Sequence, residues 1–244
     1  MEAMIFAAGL GTRLQPITNS IPKALVEING VCLLQLCIDN LIKHGCTKIV
    51  VNIHHFGEQI INFLNSGKFD VDIAISDERD CLLDTGGGLK KAEHLFDKKN
   101  PILIHNVDIL SSIDLKELYT THCRSNALAT LAVAERKTSR YLLFDRDNNL
   151  AGWTNHNTGE TLWAKKSDYN DITPMAFSGI HVVSPKIFDL LPKKSAYSIV
   201  PQYIDMASHE VIKAYPHSAK QWLDVGKHEA LEKAKDFIVN PNII

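Results

Sequence analysis

A glycine-rich loop near the N-terminus carries the clearest chemistry in the sequence. Gly9 and Gly11 come directly after an apolar segment, and Arg13 follows two residues later. Glycine lets the main chain approach an anion with its N–H groups free to donate, and an arginine side chain can hold two phosphate oxygens at once. Lys23 supplies a second cation ten residues after Arg13. Together these residues predict a polyphosphate-binding loop.

The loop matches neither of two common phosphate-binding sequences. The dinucleotide fingerprint G-x-G-x-x-G needs a third glycine where the chain has Leu14, and the Walker pattern G-x-x-x-x-G-K-[ST] does not occur. An isolated pair of glycines also occurs in tight strand-to-helix turns that bind nothing. The presence of Thr12, Arg13 and Lys23 at this spacing favours the phosphate site over a plain turn.

A second glycine-rich segment, Gly86 to Gly88 in the sequence DTGGG, precedes a predicted helix at 89–96. Three consecutive glycines raise the entropic cost of ordering the chain, so they are favourable only where something must lie close to the main chain. A flexible loop is the alternative. The segment is a second candidate for contact with a ligand.

An aspartate stands just beyond an apolar segment in the middle of the chain. Residues 102–104 predict a buried strand, and Asp108 follows its carboxyl end, which is the edge where open α/β sheets bind ligands. A carboxylate there suits Mg²⁺, which prefers oxygen ligands and takes waters or phosphate oxygens as the rest of its shell. A helix N-cap or an ordinary surface carboxylate is the alternative.

The elements that position these residues alternate as strand and helix in the first half of the chain. Apolar patterns predict strands at 4–8, 48–53, 71–75 and 102–104, and helices at 34–42, 58–64 and 89–96. Gly45 has the position of a helix C-cap. This order builds a parallel sheet with right-handed crossovers and helices on both faces.

The second half of the chain predicts a mixed arrangement. Strands are expected at 127–133, 141–144, 150–153, 176–183 and 211–215, and helices at 115–123, 185–191, 199–208 and 227–238. The turn at 147–149 predicts a hairpin, and 152–173 is interpreted as a long loop or an inserted hairpin.

Composition excludes several classes of protein. With 26 Lys and Arg against 28 Asp and Glu in 244 residues, the net charge of −2 gives no electrostatic reason to expect nucleic acid or a membrane as partner. Five cysteines without a C-x-x-C pair argue against a disulfide framework and a structural zinc site. No signal peptide or membrane-spanning segment is apparent, so we expect a cytoplasmic protein. Because α/β folds often reach roughly 200–250 residues as one unit, we also expect a single domain over 1–244.

The segment 7–30, AAGLGTRLQPITNSIPKALVEING, resembles the signature of the sugar-1-phosphate nucleotidyltransferases. The resemblance implies a nucleoside triphosphate site formed by Ala8, Gly9, Gly11, Thr12, Arg13 and Lys23, with Gly86 and Gly87 against the nucleobase. It also implies that Arg13, Lys23 and Asp108 are the catalytic residues.

Three later segments resemble the same family. N-V-D at 106–108 corresponds to a family N-G-D or N-A-D segment, which implies that Asp108 binds Mg²⁺ and marks Val107 as a departure. FSGIH at 177–181 resembles the strand beside the sugar, which implies a sugar contact at Gly179, and the resemblance also implies one at Asn106. WLDVG at 222–226 implies that Asp224 is the second metal ligand. A family Glu-Lys-Pro segment, whose lysine holds the sugar phosphate, is missing, and Lys165, Lys166 or another cation is left to take its role.

The resemblance implies a Rossmann-like, three-layer α/β/α fold with a mixed, mainly parallel sheet, the nucleotide-diphospho-sugar transferase fold. No hexapeptide repeat is visible in the sequence, so we expect no C-terminal β-helix. The implied reaction transfers a nucleoside monophosphate from a nucleoside triphosphate to a sugar 1-phosphate. DTGGG is similar to the N-acetylmuramate-1-phosphate uridylyltransferases, which favours UTP with an N-acetylhexosamine or N-acetylmuramate 1-phosphate. GTP with mannose or heptose 1-phosphate, CTP with phosphocholine, and a catalytically silent nucleotide-sugar sensor remain alternatives.

Overall fold

The computed structural model describes residues 1–165, 171–194 and 196–239. Its strands are β1 (Glu2–Phe6), β2 (Glu27–Ile28), β3 (Val31–Cys32), β4 (Lys48–Ile53), β5 (Asp72–Asp77), β6 (Ile102–Asn106), β7 (Ile109–Ser111), β8 (Ala129–Ala134), β9 (Arg140–Phe144), β10 (Leu150–Asn155), β11 (Glu160–Trp163), β12 (Thr173–Val183), β13 (Ile212–Pro216) and β14 (Trp222–Asp224). Its α-helices are α1 (Leu33–Lys43), α2 (Gly57–Ser66), α3 (Asp84–Ala92), α4 (Leu115–Arg124), α5 (Ile187–Leu190), α6 (Ile199–Met206) and α7 (His228–Val239).

The first half of the chain forms the predicted parallel sheet. Its strand order is β6-β1-β4-β5, and every neighbouring pair is parallel. The strands are rich in branched apolar residues because both faces of this sheet are covered. Gly45 ends α1 with a φ of +88°, and its N–H donates to the carbonyl of Ile42, so the C-cap prediction is confirmed.

Alternate residues of β1 pack into two separate cores. Ala3 and Ile5 face the core formed with α1, α2 and α4, whereas Met4 and Phe6 face the core formed with α3, α5 and α6. Successive side chains of a strand point to opposite faces, so the sheet is the middle of three layers. This confirms the three-layer α/β/α prediction.

The second half of the chain makes the sheet mixed. β12 lies antiparallel to β6 on one side and to β8 on the other, and β13 is parallel to β8. The first residues of β12, Thr173 to Met175, pair instead with β9, which continues through β10 to β11 as an antiparallel sheet. The predicted hairpin is confirmed, and the first part of the 152–173 segment is an inserted hairpin built on β11.

Several boundaries differ from the sequence-based expectations. α3 begins at Asp84 and not at 89, so the three glycines lie within the helix. The helix expected at 185–191 is the short α5. The short strands β7 and β14 were not predicted, and they form a separate two-stranded sheet.

Candidate active site

The loop after β1 contains two glycines with different roles. Gly11 has a φ of +67°, and a Cβ there would lie 2.9 Å from Cγ2 of Thr18. Thr18 also donates a hydrogen bond to the carbonyl of Gly11 at 2.8 Å. Gly9 is exposed, its φ is not positive, and a Cβ on it would meet no atom of the described residues within 4 Å. The fold therefore requires glycine at position 11, whereas at position 9 the main chain is open to an approaching ligand.

A buried polar pair holds the start of this loop. Oδ1 of Asn52 accepts hydrogen bonds from the N–H groups of Ala7 and Ala8, at 2.7 and 3.2 Å. Nδ2 of Asn52 donates to Glu78 at 2.8 Å, and the other oxygen of Glu78 accepts from the N–H of Leu83 at 3.2 Å. Burial raises the pKa of Glu78, while the hydrogen bonds from Asn52 and Leu83 act in the opposite direction. This pair links the glycine loop to the segment before α3.

Sequence reasoning missed Asn52 and Glu78. The signal was a single polar residue inside the apolar strand sequence KIVVNI, and a glutamate directly after β5. A polar side chain in such a strand must find partners, because an unpaired buried polar group is costly.

The segments that carry the two predicted metal ligands are neighbours because β7 and β14 pair. Asp224 stands opposite Ile109 in this ladder, and the N–H of Val225 donates to the carbonyl of Asp108 at 2.9 Å. Lys23, which lies in a short 3₁₀ turn (Lys23–Leu25), forms an ion pair with the carboxylate of Asp108. Both side chains of this ion pair are largely buried.

Gly226 marks the point where the predicted charges converge. A Cβ on Gly226 would lie 2.8 Å from Oδ1 of Asp224, 2.9 Å from Nη2 of Arg13 and 3.1 Å from Nζ of Lys23. Because position 226 is a glycine, the space that a side chain would fill stays open between Asp224, Arg13 and Lys23. Two cations and the carboxylate of Asp224 therefore surround one small region at the carboxyl edge of the sheet, and Asp108 adjoins it through its ion pair with Lys23.

The glycines of the DTGGG segment contact the chain before α6. The N–H groups of Gly86 and Gly87 donate to the carbonyl of Tyr197, and a Cβ on Gly86 would lie 2.4 Å from the Tyr197 ring. Close packing between α3 and the chain before α6 therefore accounts for the glycine at position 86. The preceding residues, Asp84 and Thr85, face the cavity described next.

A cavity of about 340 Å³ opens beside these groups. Its lining combines the glycine loop, the buried polar pair, the DTGGG segment and the end of β6: Phe6, Ala8, Gly9, Lys23, Asn52, Glu78, Leu82, Asp84, Thr85, Asn106, Val107 and Asp108. We call it the loop cavity. Gly86 and Gly87 do not line it, and Val107 does.

Asn106 and Gly179 meet between β6 and β12. Gly179 has a φ of +71°, and a Cβ on it would lie 2.7 Å from Nδ2 of Asn106. Gly179 also falls in the part of β12 where the pairing with β8 shifts register, between Phe177 and His181. The glycine is therefore needed both for backbone conformation and for the close approach of Asn106.

A larger cavity, of about 540 Å³, lies between α6 and the β9–β11 sheet. Leu142, Trp153 and Leu162 stand opposite one another on three adjacent strands and form its apolar floor. Arg140 and Glu160 lie at the outer edge of this cavity. Both are register partners of Asn155, Arg140 from β9 and Glu160 from β11, so they follow the apolar residues on the same face of the sheet. We call this larger cavity the sheet cavity. Arg136 and Phe177 also line it.

Comparison with known proteins identifies the family. The model of the family described as nucleotidyl transferase matches residues 2–240. The chain belongs to the nucleotidyl transferase family. Among curated relatives, this nucleotidyl transferase is 30% identical to N-acetylmuramate alpha-1-phosphate uridylyltransferase of Caulobacter vibrioides, over 93% of both chains. It is 28% identical to mannose-1-phosphate guanyltransferase of Pichia angusta, over 98% of this chain and 62% of the relative.

The fold of this nucleotidyl transferase is shared with solved structures. A putative glucose-1-phosphate thymidylyltransferase from Bacillus anthracis superposes with a TM-score of 0.79 at 18% identity, over 98% of this chain and 96% of that one. The named relatives are sugar-1-phosphate nucleotidyltransferases, so the chain is an enzyme of that class. No helix in the described part of the chain is long and apolar enough to cross a membrane.

The donor set at Gly226 fits the divalent metal that this family generally uses. In the described part of the chain, no group of three or more histidine, cysteine, aspartate or glutamate residues is placed to hold a metal ion. Mg²⁺ is commonly held by one or two carboxylates together with substrate phosphates, so Asp108 and Asp224 are a sufficient protein contribution. Of the candidates for the missing lysine, Lys165 lines neither cavity and Lys166 lies outside the described residues.

Proposed function

We propose that this nucleotidyl transferase transfers the uridylyl group of UTP to an N-acetylated hexosamine 1-phosphate, with N-acetylmuramate 1-phosphate as the leading acceptor. The observation that carries the proposal is the convergence of Arg13, Lys23 and Asp224 on Gly226, with Asp108 paired to Lys23 beside the loop cavity. The relative that is 30% identical over nearly all of both chains bears the corresponding name.

The reaction needs positioning and charge neutralisation more than proton transfer. The attacking group is a phosphate oxygen that is already anionic, so no general base is required. Gly9 allows the triphosphate to approach the main-chain N–H groups, and Arg13 and Lys23 offset the charge that moves to the leaving pyrophosphate. Asp108 and Asp224 would hold Mg²⁺, which supplies electrostatic stabilisation at the phosphoryl group being transferred.

Asp84 offers a hydrogen-bond acceptor to a base in the loop cavity. Asp84 lines this cavity, and its carboxylate can only accept hydrogen bonds when ionised. Uracil and guanine can donate to it through a ring N–H, whereas cytosine can donate only through its amino group. We infer that Asp84 faces the ring nitrogen of the base, which would favour UTP or GTP over CTP, and hence a sugar 1-phosphate acceptor over phosphocholine.

The sheet cavity supports an acceptor with an apolar substituent. Its floor of Leu142, Trp153 and Leu162 offers apolar contact that a plain hexose, which carries hydroxyl groups around its ring, uses poorly. An acetamido methyl group, or the lactyl methyl group of muramic acid, matches this floor. GTP with mannose 1-phosphate is the second candidate, because a relative covering 98% of this chain is named for that activity.

Pyrophosphate release tests the proposal. UTP, GTP, CTP and dTTP are each combined with Mg²⁺ and with N-acetylmuramate, N-acetylglucosamine, mannose, heptose and glucose 1-phosphates, and with phosphocholine. We expect the highest kcat/KM with UTP and an N-acetylated acceptor. A higher kcat/KM with GTP and mannose or heptose 1-phosphate would replace this assignment by the second candidate. Triphosphate binding without turnover in any combination would instead indicate a nucleotide-sugar sensor.

A further inference from the structure

Arg136 is a cation placed between the sheet cavity and the carboxylates. It follows β8, lines the sheet cavity, and its guanidinium lies 3.9 Å from the centre of the Trp222 ring. Its Nη2 donates to the carbonyl of Phe177 at 2.7 Å. Trp222 in turn donates through Nε1 to the carbonyl of Ser178 at 2.7 Å. These contacts fix the arginine against two segments, FSGIH and WLDVG, that meet at the site.

Within the described residues, the guanidinium of Arg136 has no ion-pair partner to balance its charge. No carboxylate within the described ranges forms an ion pair with it, and its Nε is buried without a hydrogen-bond partner there. Burial lowers the pKa of Arg136 while Asp224 attracts the charged form, and an arginine remains protonated at neutral pH under such conditions. A half-buried charge that is neither paired nor fully hydrogen-bonded is unfavourable until an anion reaches it.

The position of Arg136 indicates which anion would bind to its guanidinium. Phe177, which accepts its hydrogen bond, is two residues before Gly179, which lies against Asn106 in the wall of the loop cavity. Trp222, which stacks under it, is two residues before Asp224. An anion at Arg136 is therefore at the boundary between the apolar floor of the sheet cavity and the charged region around Gly226.

We propose that Arg136 binds the phosphate group of the acceptor sugar 1-phosphate and so takes the role of the lysine in the missing Glu-Lys-Pro segment. This inference rests on the proposed function. The guanidinium holds the attacking phosphate at the edge of the sheet, and the sheet cavity receives the sugar and its substituent. Lys165 is exposed and lines neither cavity, and Arg140 lies at the outer edge of the sheet cavity, so neither occupies this boundary.

Three variants test the assignment: Arg136→Met, Arg136→Lys and Arg146→Met. Arg136→Met removes the charge and keeps much of the side-chain length, Arg136→Lys keeps the charge without the planar fork, and Arg146→Met is a control in the exposed turn between β9 and β10. Steady-state pyrophosphate release gives the KM for the acceptor and for the nucleoside triphosphate, and thermal unfolding checks the fold.

We expect Arg136→Met to raise the acceptor KM by roughly 10- to 100-fold, the loss typical of a charge-assisted contact to phosphate, with the triphosphate KM within about 2-fold of wild type. The acceptor KM of Arg136→Lys should lie between the values for wild type and Arg136→Met. The acceptor KM of Arg146→Met should equal the wild-type value. A purely structural role predicts another result: lower kcat and a lower melting temperature with an unchanged acceptor KM. That result, or an unchanged KM in a folded Arg136→Met protein, would overturn the proposal.

Direct binding separates this proposal from the proposed function. If the wild-type protein releases no pyrophosphate with any substrate pair, the proposed function fails, and calorimetry with N-acetylmuramate 1-phosphate and glucose 1-phosphate still measures the acceptor site. Binding that is lost in Arg136→Met supports the assignment of Arg136. Equal affinity in the two proteins, or no binding by wild type, contradicts it. If Arg136→Met does not fold, the same comparison is made with Arg136→Lys.

Discussion

The main-chain N–H of Val225 donates a hydrogen bond of 2.9 Å to the carbonyl oxygen of Asp108. This bond continues the pairing of β7 with β14 and joins two segments that lie more than a hundred residues apart in the chain. Because Asp224 directly precedes Val225, the same pairing sets the second carboxylate beside the first. The candidate site is thus assembled by a two-stranded sheet of only three residues on each strand.

Replacing Asp108 tests whether its carboxylate serves the reaction. We expect Asp108→Asn to lower kcat by roughly 100-fold or more, because a charged ligand and the partner of Lys23 are lost together. The control is Asp70→Asn, which changes an exposed aspartate on the loop before β5. Normal turnover in a folded Asp108→Asn protein would contradict the assignment.

Removing divalent metal should stop the reaction. Chelation with EDTA is expected to abolish pyrophosphate release, and excess Mg²⁺ should restore it, because Asp108 and Asp224 offer two carboxylates and substrate phosphates supply further oxygens. In Asp224→Asn we expect a higher Mg²⁺ concentration for half-maximal rate. An unchanged Mg²⁺ dependence in that variant would remove Asp224 from the metal site.

The two loop glycines should respond differently to substitution. Gly9→Val leaves the melting temperature close to wild type, because its side chain enters open space, but it obstructs the triphosphate and raises its KM. Gly11→Ala should destabilise the fold by about 1–3 kcal/mol because of its positive φ and the contact with Thr18. Urea denaturation and steady-state kinetics measure the two effects. Unchanged triphosphate binding in Gly9→Val would argue against ligand approach at that position.

Asp84 should control discrimination between bases. In Asp84→Asn the amide can both donate and accept, so we expect the preference for UTP over CTP to fall, with a smaller change in the rate with UTP itself. Competition between UTP and CTP for the same acceptor measures the ratio of the two kcat/KM values. An unaltered ratio would place base recognition elsewhere in the loop cavity.

Acid should destabilise the protein through buried histidines. Burial lowers the pKa of His105 to about 4 and that of His181 to about 3, and neither ring nitrogen of His181 has a partner in the described part of the chain. Below pH ~6.5 the unfolded chain therefore binds more protons than the folded protein does. The free energy of unfolding is highest above that pH and decreases as the pH falls. Glu78, whose pKa is raised, acts in the opposite sense.

The variant His181→Leu isolates this effect, because Glu78 is present in both proteins. Between pH ~7 and ~4.5, we expect the free energy of unfolding of wild type to fall by about 3 kcal/mol more than that of His181→Leu. Urea denaturation across this range measures the difference. Parallel pH dependences would show that His181 does not titrate between the two states.

Local patterns predicted most of the fold. The strand at 48–53 has the predicted bounds of β4, because a run of branched apolar residues buried on both faces leaves little ambiguity. The DTGGG segment was interpreted as preceding a helix because glycine is a poor helix former, yet packing against Tyr197 and Glu78 places these glycines inside α3. Tertiary contacts, which no local pattern contains, decided that boundary.

The candidate site was predicted less completely than the fold, because tertiary contacts also position several of its residues. Arg13, Lys23 and Asp108 stand in recognisable motifs, and the structure brings them together. Asn52 and Arg136 belong to no motif, and their positions follow from pairing and packing between distant segments. Asp224 was assigned by resemblance alone, because its partner strand lies far away in the chain.

The proposed reaction is tested by pyrophosphate release with UTP, N-acetylmuramate 1-phosphate and Mg²⁺, compared between wild type and Asp108→Asn. We expect a uridine diphosphate sugar together with equimolar pyrophosphate from the wild type, and almost none from the variant. The absence of turnover by the wild type with this pair and with every other pair of the panel, while UTP still binds, would contradict the proposed reaction.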